Sequence, residues 1–355
     1  MAEDRKQAQQ TSGVTPGRRE SARPQDPLSP AMDRPASLAV AFQMDALAGI
    51  DIDADSSFAL ALEAQRRGHG LYHYAPEALT LRDGRVYARG RPVKLQRDYT
   101  RHFELGDWET IDLAGLDVVM MRQDPPFDMA YITATHLLEK VHPQTLVVND
   151  PANVRNAPEK LYVTHFAEFM PPTVITSDRE QIHAFRKEHK DIILKPLFGN
   201  GGADVFRITE QDENLNALLE MFTRLYREPI MVQAYLPEIR NGDKRIILID
   251  GEPVGAVNRV PPPGDARANL HVGGHAERAE LTERDRQVCR AIGPALRARG
   301  QIFVGIDMIG DYLTEINVTS PTGIQEIDRL DGVSLEAQVW DAIESRVDAS
   351  GHLPE

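Results

Sequence analysis

Apolar and polar positions follow two rhythms along this chain, and the changes between them predict most of its elements. Leu38-Ala-Val-Ala-Phe42 is a short unbroken apolar run, the pattern of a buried strand. Asp55-Ser-Ser-Phe58 offers an N-cap and opens a helix over Ala59–Arg67 that ends at Gly68. Strand, loop and helix in that order predict an open parallel sheet. Asp83-Gly84 between the runs 79–82 and 85–88 predicts a hairpin. Leu116–Met121 and Leu146–Asn149 read as buried strands and Met129–Val141 as a helix. The stretch 37–150 therefore reads as one α/β domain.

Beyond it, Pro151–Lys160 reads as a connector entering a helix over Glu159–Phe169. Strands are predicted at 174–176, 192–196, 205–208 and 230–233, and helices at 178–189 and 215–226. Arg245–Asp250 and Pro253–Asn258 form a hairpin about Gly251, followed by a long Pro- and Gly-rich loop, 261–274. Glu283–Arg299 is a helix with a kink point at Pro294, and Ile302–Ile309 with Tyr312–Val318 is a final hairpin. This divides the remainder into 151–235 and 236–346, with tails at 1–36 and 347–355.

Composition narrows the function. The 355 residues exceed one ordinary domain, and 41% hydrophobic with 26% charged residues is a normal globular balance. A net charge of −14 argues against non-specific nucleic-acid binding, because phosphates are repelled. The single cysteine, Cys289, permits no intrachain disulfide and suits a reducing cytoplasm. No apolar run approaches the ~20 residues of a membrane span. The first 35 residues, rich in Pro, Ser, Gln, Arg and Asp, read as a disordered tail rather than a signal peptide.

The strongest chemical signal lies in the last hairpin. Glu315 and Asn317 share one strand face, and a three-residue loop at 310–312 would pair Asp307 with Glu315. A two-residue loop would break that agreement. Three oxygen-bearing side chains then share one face while Val304, Ile306, Met308, Ile316 and Val318 form the other. Clustered hard oxygens suit Mg²⁺; a solvated polar face is the plainer alternative. Lys195 at a strand end, followed by Gly199-Asn-Gly-Gly-Ala203, combines a point charge with backbone N–H groups that can approach phosphates, although such a run alone most often marks a β-turn. Lys160, Lys244-Arg245, Arg259 and Arg267 supply cations whose role depends on convergence in space. Met121-Arg122-Gln-Asp124-Pro-Pro-Phe-Asp128 follows an apolar strand, where ligands of open α/β sheets bind; a rigid proline turn is the alternative. His271 and His275 lie four apart in a loop, without the helical context of a zinc site. Cys289 falls on the apolar side of its helix and reads as core.

Several of these segments together resemble the prokaryotic glutathione synthetases: Gln43-Met-Asp45-Ala, the 55–68 helix, 121–128, Asp191–Leu197, Gly242-Asp-Lys-Arg245, Asp250–Pro253, and above all Phe303–Asp311 and Leu313-Thr-Glu-Ile-Asn-Val-Thr-Ser-Pro321. The resemblance covers roughly 38–346. It implies an N-terminal open parallel α/β domain followed by an ATP-grasp fold, with a central lid domain and a C-terminal antiparallel domain. It implies ATP and Mg²⁺, with Mn²⁺ as a substitute, and γ-glutamylcysteine and glycine as substrates in a cytoplasmic homotetramer. By resemblance, Lys160 and Lys195 contact ATP phosphates, Gly199, Asn200, Gly201, Gly202 and Ala203 cover them, and Gln233, Ala234, Tyr235, Leu236 and Asp243 complete the nucleotide site. Asp307, Glu315 and Asn317 are the implied metal ligands, and Arg245 and Arg259 the implied stabilisers of the transferring phosphate. Ser57, Arg122, Asp124, Arg267, Gly273, Gly274 and Ser320 are assigned to the dipeptide side, with 261–274 as a second lid. The chain departs from the expected pattern at Gln123, where lysine is usual, at His275-Ala276, where Arg-Gly is usual, and at Gly323. Two rivals share the fold: a ligase joining another acid and amine, and a non-catalytic ATP-binding regulator of the synapsin kind.

Overall fold

In the computed structural model, the residues described are 37–264, 267–268 and 273–350. The first layer is a mixed sheet. Its strands are β1 (Ala39–Gln43), β2 (Gly70–Tyr74), β3 (Leu79–Arg82), β4 (Arg85–Leu95), β5 (Phe103–Leu105), β6 (Glu109–Asp112), β7 (Val118–Met121) and β8 (Leu146–Val148). β2, β1, β7 and β8 run parallel, as the opening pattern predicts. β4 adds antiparallel to β2 and pairs with β3 in the hairpin predicted about Asp83-Gly84; it also carries β5 and β6, which the apolar pattern does not announce. β2 is missed because Gly70-Leu-Tyr-His-Tyr mixes polar and apolar positions without a clean period of two.

Helix α1 (Ser56–Arg67) begins where Asp55 accepts a hydrogen bond from the Phe58 N–H and ends at left-handed Gly68. Helices α2 (Met129–Leu138) and α3 (Pro151–Arg155) follow, capped by Asp128 and Asp150. The helix expected over 159–169 is interrupted. After α4 (Glu159–Tyr162) the chain tightens into 3₁₀ turns over Val163–Phe169, with a break at Phe166.

The second layer is a small antiparallel sheet with its own core. Its strands are β9 (Thr173–Thr176), β10 (Ile192–Pro196), β11 (Phe206–Ile208) and β12 (Ile230–Ala234), in the order β11-β10-β12-β9. α5 (Arg179–His189) and α6 (Leu215–Leu225) cover it, with Ile182, Leu219 and Phe222 packing on Ile192, Leu194 and Val232.

The third layer is wholly antiparallel. β13 (Asp243–Ile249), β14 (Glu252–Val260), β15 (His275–Arg278), β16 (Phe303–Ile309) and β17 (Tyr312–Asn317) run in the order β15-β14-β13-β16-β17. α7 (Glu283–Ala298) starts at a capping box between Thr282 and Asp285 and tolerates Pro294 inside. α8 (Ile324–Asp331) and α9 (Leu335–Ser350) follow. α9 reaches past residue 346 and packs back on the first layer. There the Trp340 indole donates to the Leu60 carbonyl at 2.7 Å and Arg67 pairs with Glu344 at 2.7 Å.

Candidate active site

The last hairpin closes on a two-residue turn, not three: Ile309 pairs with Tyr312, and Gly310 takes the left-handed conformation, φ +58°. Asp307 nevertheless faces Glu315, because the register shifts between Asp307 and Met308 and leaves Thr314 as a bulged extra residue. The Thr314 hydroxyl donates to the Asp307 carbonyl at 3.1 Å. The apolar face is as expected, with Val304, Ile306, Met308, Ile316 and Val318 all buried.

Strand pairing then assembles the charges. Arg245 lies opposite Asp307 on the other side of β16, and Arg259 lies opposite Asp243. Arg245 forks onto Asp307 at 2.5 and 2.8 Å. Arg259 reaches the same carboxylate at 2.9 Å and Asp243 at 2.6 Å. The Asn317 amide adds a contact to Asp307 at 3.3 Å. Burial pushes the Asp307 carboxyl up, but Arg245 and Arg259 outweigh it and hold it well below the usual carboxylate range. Asp243 is pushed up to about 7, by burial first and then by Asp307 and Glu315, against the pull of Arg259.

Lys160, in the first turn of α4, sits 3.3 Å from Glu315 and also contacts Glu159. Its ammonium donates to the Gly199 carbonyl at 2.7 Å. Burial lowers its pKa, but Glu315 and Glu159 overcome that and raise it, so it stays charged. Lys195, on β10, is buried without a side-chain hydrogen bond among the described residues. Desolvation pulls its pKa down, partly offset by Glu315. A cation held there without a close partner fits an anion supplied from outside.

These groups line a cavity of about 960 Å³. Glu315, Asn317, Asp243, Arg245 and Arg259 form its floor, Lys160 and Lys195 one wall, and Gly199–Ala203 and Gln233–Leu236 another. Gly201 and Gly202 take positive φ, turning the loop over that wall. Tyr235 is stacked from outside by the Arg207 guanidinium, 3.9 Å from the ring centre. Asp45, Asp124 and Ser320 also line the cavity, the Asp124 N–H donating to Asp45 at 2.8 Å, and Arg267 reaches towards the Gly202 carbonyl at 3.5 Å.

The match to known families decides the rest. Residues 38–155 match the model of the prokaryotic glutathione synthetase N-terminal domain, and 159–332 that of the prokaryotic glutathione synthetase ATP-grasp domain. The chain belongs to the prokaryotic glutathione synthetases. It is 59% identical over 309 residues to the glutathione synthetase of Mesorhizobium japonicum, an alignment covering 87% of this chain and 99% of that one. It is 46% identical over 306 residues to that of Salmonella typhimurium, covering 86% and 97%. D-cycloserine synthetase DcsG shares the fold at a TM-score of 0.62 with 16% identity, covering 87% of this chain and 100% of its own. The ATP-grasp ligase PsnB, solved with a minimal precursor, Mg and ADP, does so at 0.56 with 17% identity, covering 87% and 98%.

Against the expectations for a glutathione synthetase, some residues lie elsewhere than the cavity wall. Asp307 sits behind the arginines. Arg122 and Ser57 are buried and do not line the cavity, with the Arg122 Nε donating to the Ser57 hydroxyl at 2.9 Å and its Nη2 to the Pro321 carbonyl at 3.0 Å. Burial pulls the Arg122 pKa down, against Asp55 and Asp124. Gly273 and Gly274 lie ahead of β15 and do not line the cavity, and the middle of the 261–274 loop, with His271, falls outside the described residues. Lys244 turns to the far face and pairs with Asp285 at 2.6 Å. Gln123 is buried and accepts from the Gln43 amide, so the departure from lysine is a neutral pair. Sequence reasoning missed Glu159, Phe198 and Thr319, which also line the cavity or the crevice beside it, because nothing in their spacing marks them.

Proposed function

We propose that this cavity joins γ-glutamylcysteine to glycine through an acyl phosphate, with the side chains in the roles set out below. The overall reaction, ATP-dependent formation of glutathione by an ATP-grasp ligase, follows from family membership. The observation that carries the assignment of roles is the convergence of Arg245, Arg259, Lys160 and Lys195 on one cavity beside Glu315.

Lys160, Lys195 and the backbone of Gly199–Ala203 hold the ATP phosphates, and Gln233–Leu236 receives the adenine. Asp45, Asp124 and Ser320 flank the dipeptide. Its carboxylate attacks the terminal phosphorus and ADP leaves; Arg245 and Arg259 stabilise the charge that develops. The glycine amine then attacks the acyl carbon, phosphate departs and the amide forms. Phosphorylation turns the carboxylate oxygen into a leaving group, and the cavity's work is to position the reactants and stabilise the developing charge.

The donor set fits a hard divalent cation: Glu315 and Asn317 open into the cavity, and Asp307 lies behind them with both oxygens accepting from arginines. Bound there, Mg²⁺ or Mn²⁺ supplies neutralisation of phosphate charge. The assembly proposed is a cytoplasmic homotetramer, tested by light scattering of the purified chain. The reaction is tested by phosphate release from ATP with γ-glutamylcysteine, with and without glycine. Glycine-dependent release with glutathione supports it, and turnover only with another acid–amine pair overturns the substrate assignment.

A further inference from the structure

The dipeptide end and the phosphate end of the cavity come from different layers, and one aromatic pair joins them. Phe127 belongs to the 122–128 loop. Asp128, next in the chain, caps α2 by accepting from the Ala130 and Tyr131 N–H groups at 2.9 and 3.0 Å. Phe127 packs on Tyr131, 5.0 Å between ring centres, so its position is set from behind. Phe198 immediately precedes Gly199, whose carbonyl is held by Lys160. The two rings lie nearly parallel, 12° apart with centres at 6.1 Å. Beside them is a crevice of about 20 Å³ lined by Pro125, Phe127, Pro158, Leu197, Phe198 and Gly199. That is room for about one water molecule. Pro125, Glu159, Gly199 and Asn200 line both this crevice and the main cavity, so the two are contiguous.

We propose that the Phe127–Phe198 stack is a water seal between the dipeptide loop and the glycine loop, with both phenylalanines acting as positioning residues. The inference rests on the acyl-phosphate reading above. An acyl phosphate has two fates. Attack by the glycine amine on the acyl carbon breaks the C–O bond to phosphate and yields the amide. Attack by water at the same carbon breaks the same bond, returns the carboxylate, releases phosphate and a proton, and consumes one ATP without product. On that reading the glycine loop covers the phosphates and the 122–128 loop flanks the dipeptide, so the seam between them, continuous with the cavity, is one path by which water would reach the acyl carbon. Two stacked rings close it with apolar surface. Truncating either ring to alanine widens a one-water crevice into a channel several waters wide.

The test measures phosphate released per glutathione formed, under saturating ATP, γ-glutamylcysteine and glycine, in the full chain and in Phe198→Ala, Phe127→Ala, Phe198→Leu and Phe198→Tyr. The wild-type chain gives a ratio of about 1, and each alanine variant about 2 or more, since water then competes with the amine. Phe198→Tyr restores the ratio, and the KM for ATP stays within about twofold because the phosphate ligands are untouched. A ratio of one in a folded alanine variant overturns the seal, even if kcat has dropped. If neither alanine variant folds, Phe198→Ser at reduced temperature decides on the same criterion, while Phe198→Leu, which keeps apolar bulk, should hold the ratio near 1. Hydroxylamine trapping separates this inference from its foundation. Wild-type hydroxamate with a ratio of one in the variants removes the seal alone, and no hydroxamate from the wild-type chain removes the acyl-phosphate reading and the seal with it.

Discussion

The charged floor of the cavity and the cluster around Arg122 are built in opposite ways. On the floor, Arg245, Asp307 and Glu315 stand in one row across three hydrogen-bonded strands, and Arg259 and Asp243 in the next. Strand pairing alone sets their neighbours. In the Arg122 cluster, proposed above to lie on the dipeptide side, Ser57 from α1, Arg122 after β7 and the carbonyl of Pro321 after β17 meet only because separate elements pack together. A ladder places charges by counting along the chain, whereas packing places them by the sum of many distant contacts. The first arrangement concentrates consequence in single residues, and the second spreads it.

Breaking the floor should therefore have the largest effect. Glu315→Ala removes a carboxylate that is no part of the apolar core, so turnover should fall by about 10³-fold or more with the melting temperature little changed. Near-normal phosphate release from that variant would remove Glu315 from the metal set. Arg245→Met comes next. It leaves Asp307 buried with one guanidinium instead of two, which should cost about 3–5 kcal/mol of stability along with roughly 10²-fold in kcat. Because Asp307 is held below its ordinary range, its stabilising contribution is full above the unfolded carboxylate range near pH 4 and is lost only as pH falls through the lower folded value. In Arg245→Met that loss should move to higher pH, as urea melts across an acid series would show.

Ser57→Ala probes the other side. It deprives the buried Arg122 Nε of its acceptor and should raise the KM for the dipeptide by roughly fivefold while leaving that for ATP alone. An equal change in both would mean that the two ends are not separable. The smallest effect lies outside both regions. Asp328 on α8 is pushed up to about 8, by burial and by a hydrogen bond with the Glu336 side chain. The folded chain thus keeps a proton that the unfolded chain releases near pH 4; this advantage is full below that pH and lost as pH rises through about 8. Asp328→Asn should flatten the decline in melting temperature between about pH 4 and pH 8 without touching turnover at neutral pH.

The same contrast explains what was legible in the sequence. The parallel start of the first sheet, the cap at Asp55, and the apolar and charged faces of β16 and β17 follow from local periodicity, and all are present. The turn is one residue shorter than the spacing predicts, yet the predicted Asp307–Glu315 pair survives, because the bulge at Thr314 supplies the residue that the turn omits. β2, β6 and β15 were invisible, being short strands whose apolar positions are set by neighbours rather than by a period of two. Arg122 read as a cavity residue because it follows a strand. Only the packed structure reveals that it is buried behind the cavity lining, over the Phe303 ring and against Pro321. Lys244 and Arg245 are adjacent and both basic, but successive residues on a strand face opposite ways, so one joins the site and the other pins α7.

The bulge also sets how this stretch of chain can change over time. With Ile309 opposite Tyr312, a regular ladder would place Asp307 opposite Thr314 and turn Glu315 into the core; the single extra residue keeps the carboxylates in frame. Losing or gaining one residue between Asp307 and Glu315 therefore exchanges the charged and apolar sets wholesale, whereas an added residue in the 261–274 loop leaves every strand partner as it was. Lineages of this chain should then vary freely in the length of that loop and accept length changes in the hairpin only as compensated pairs.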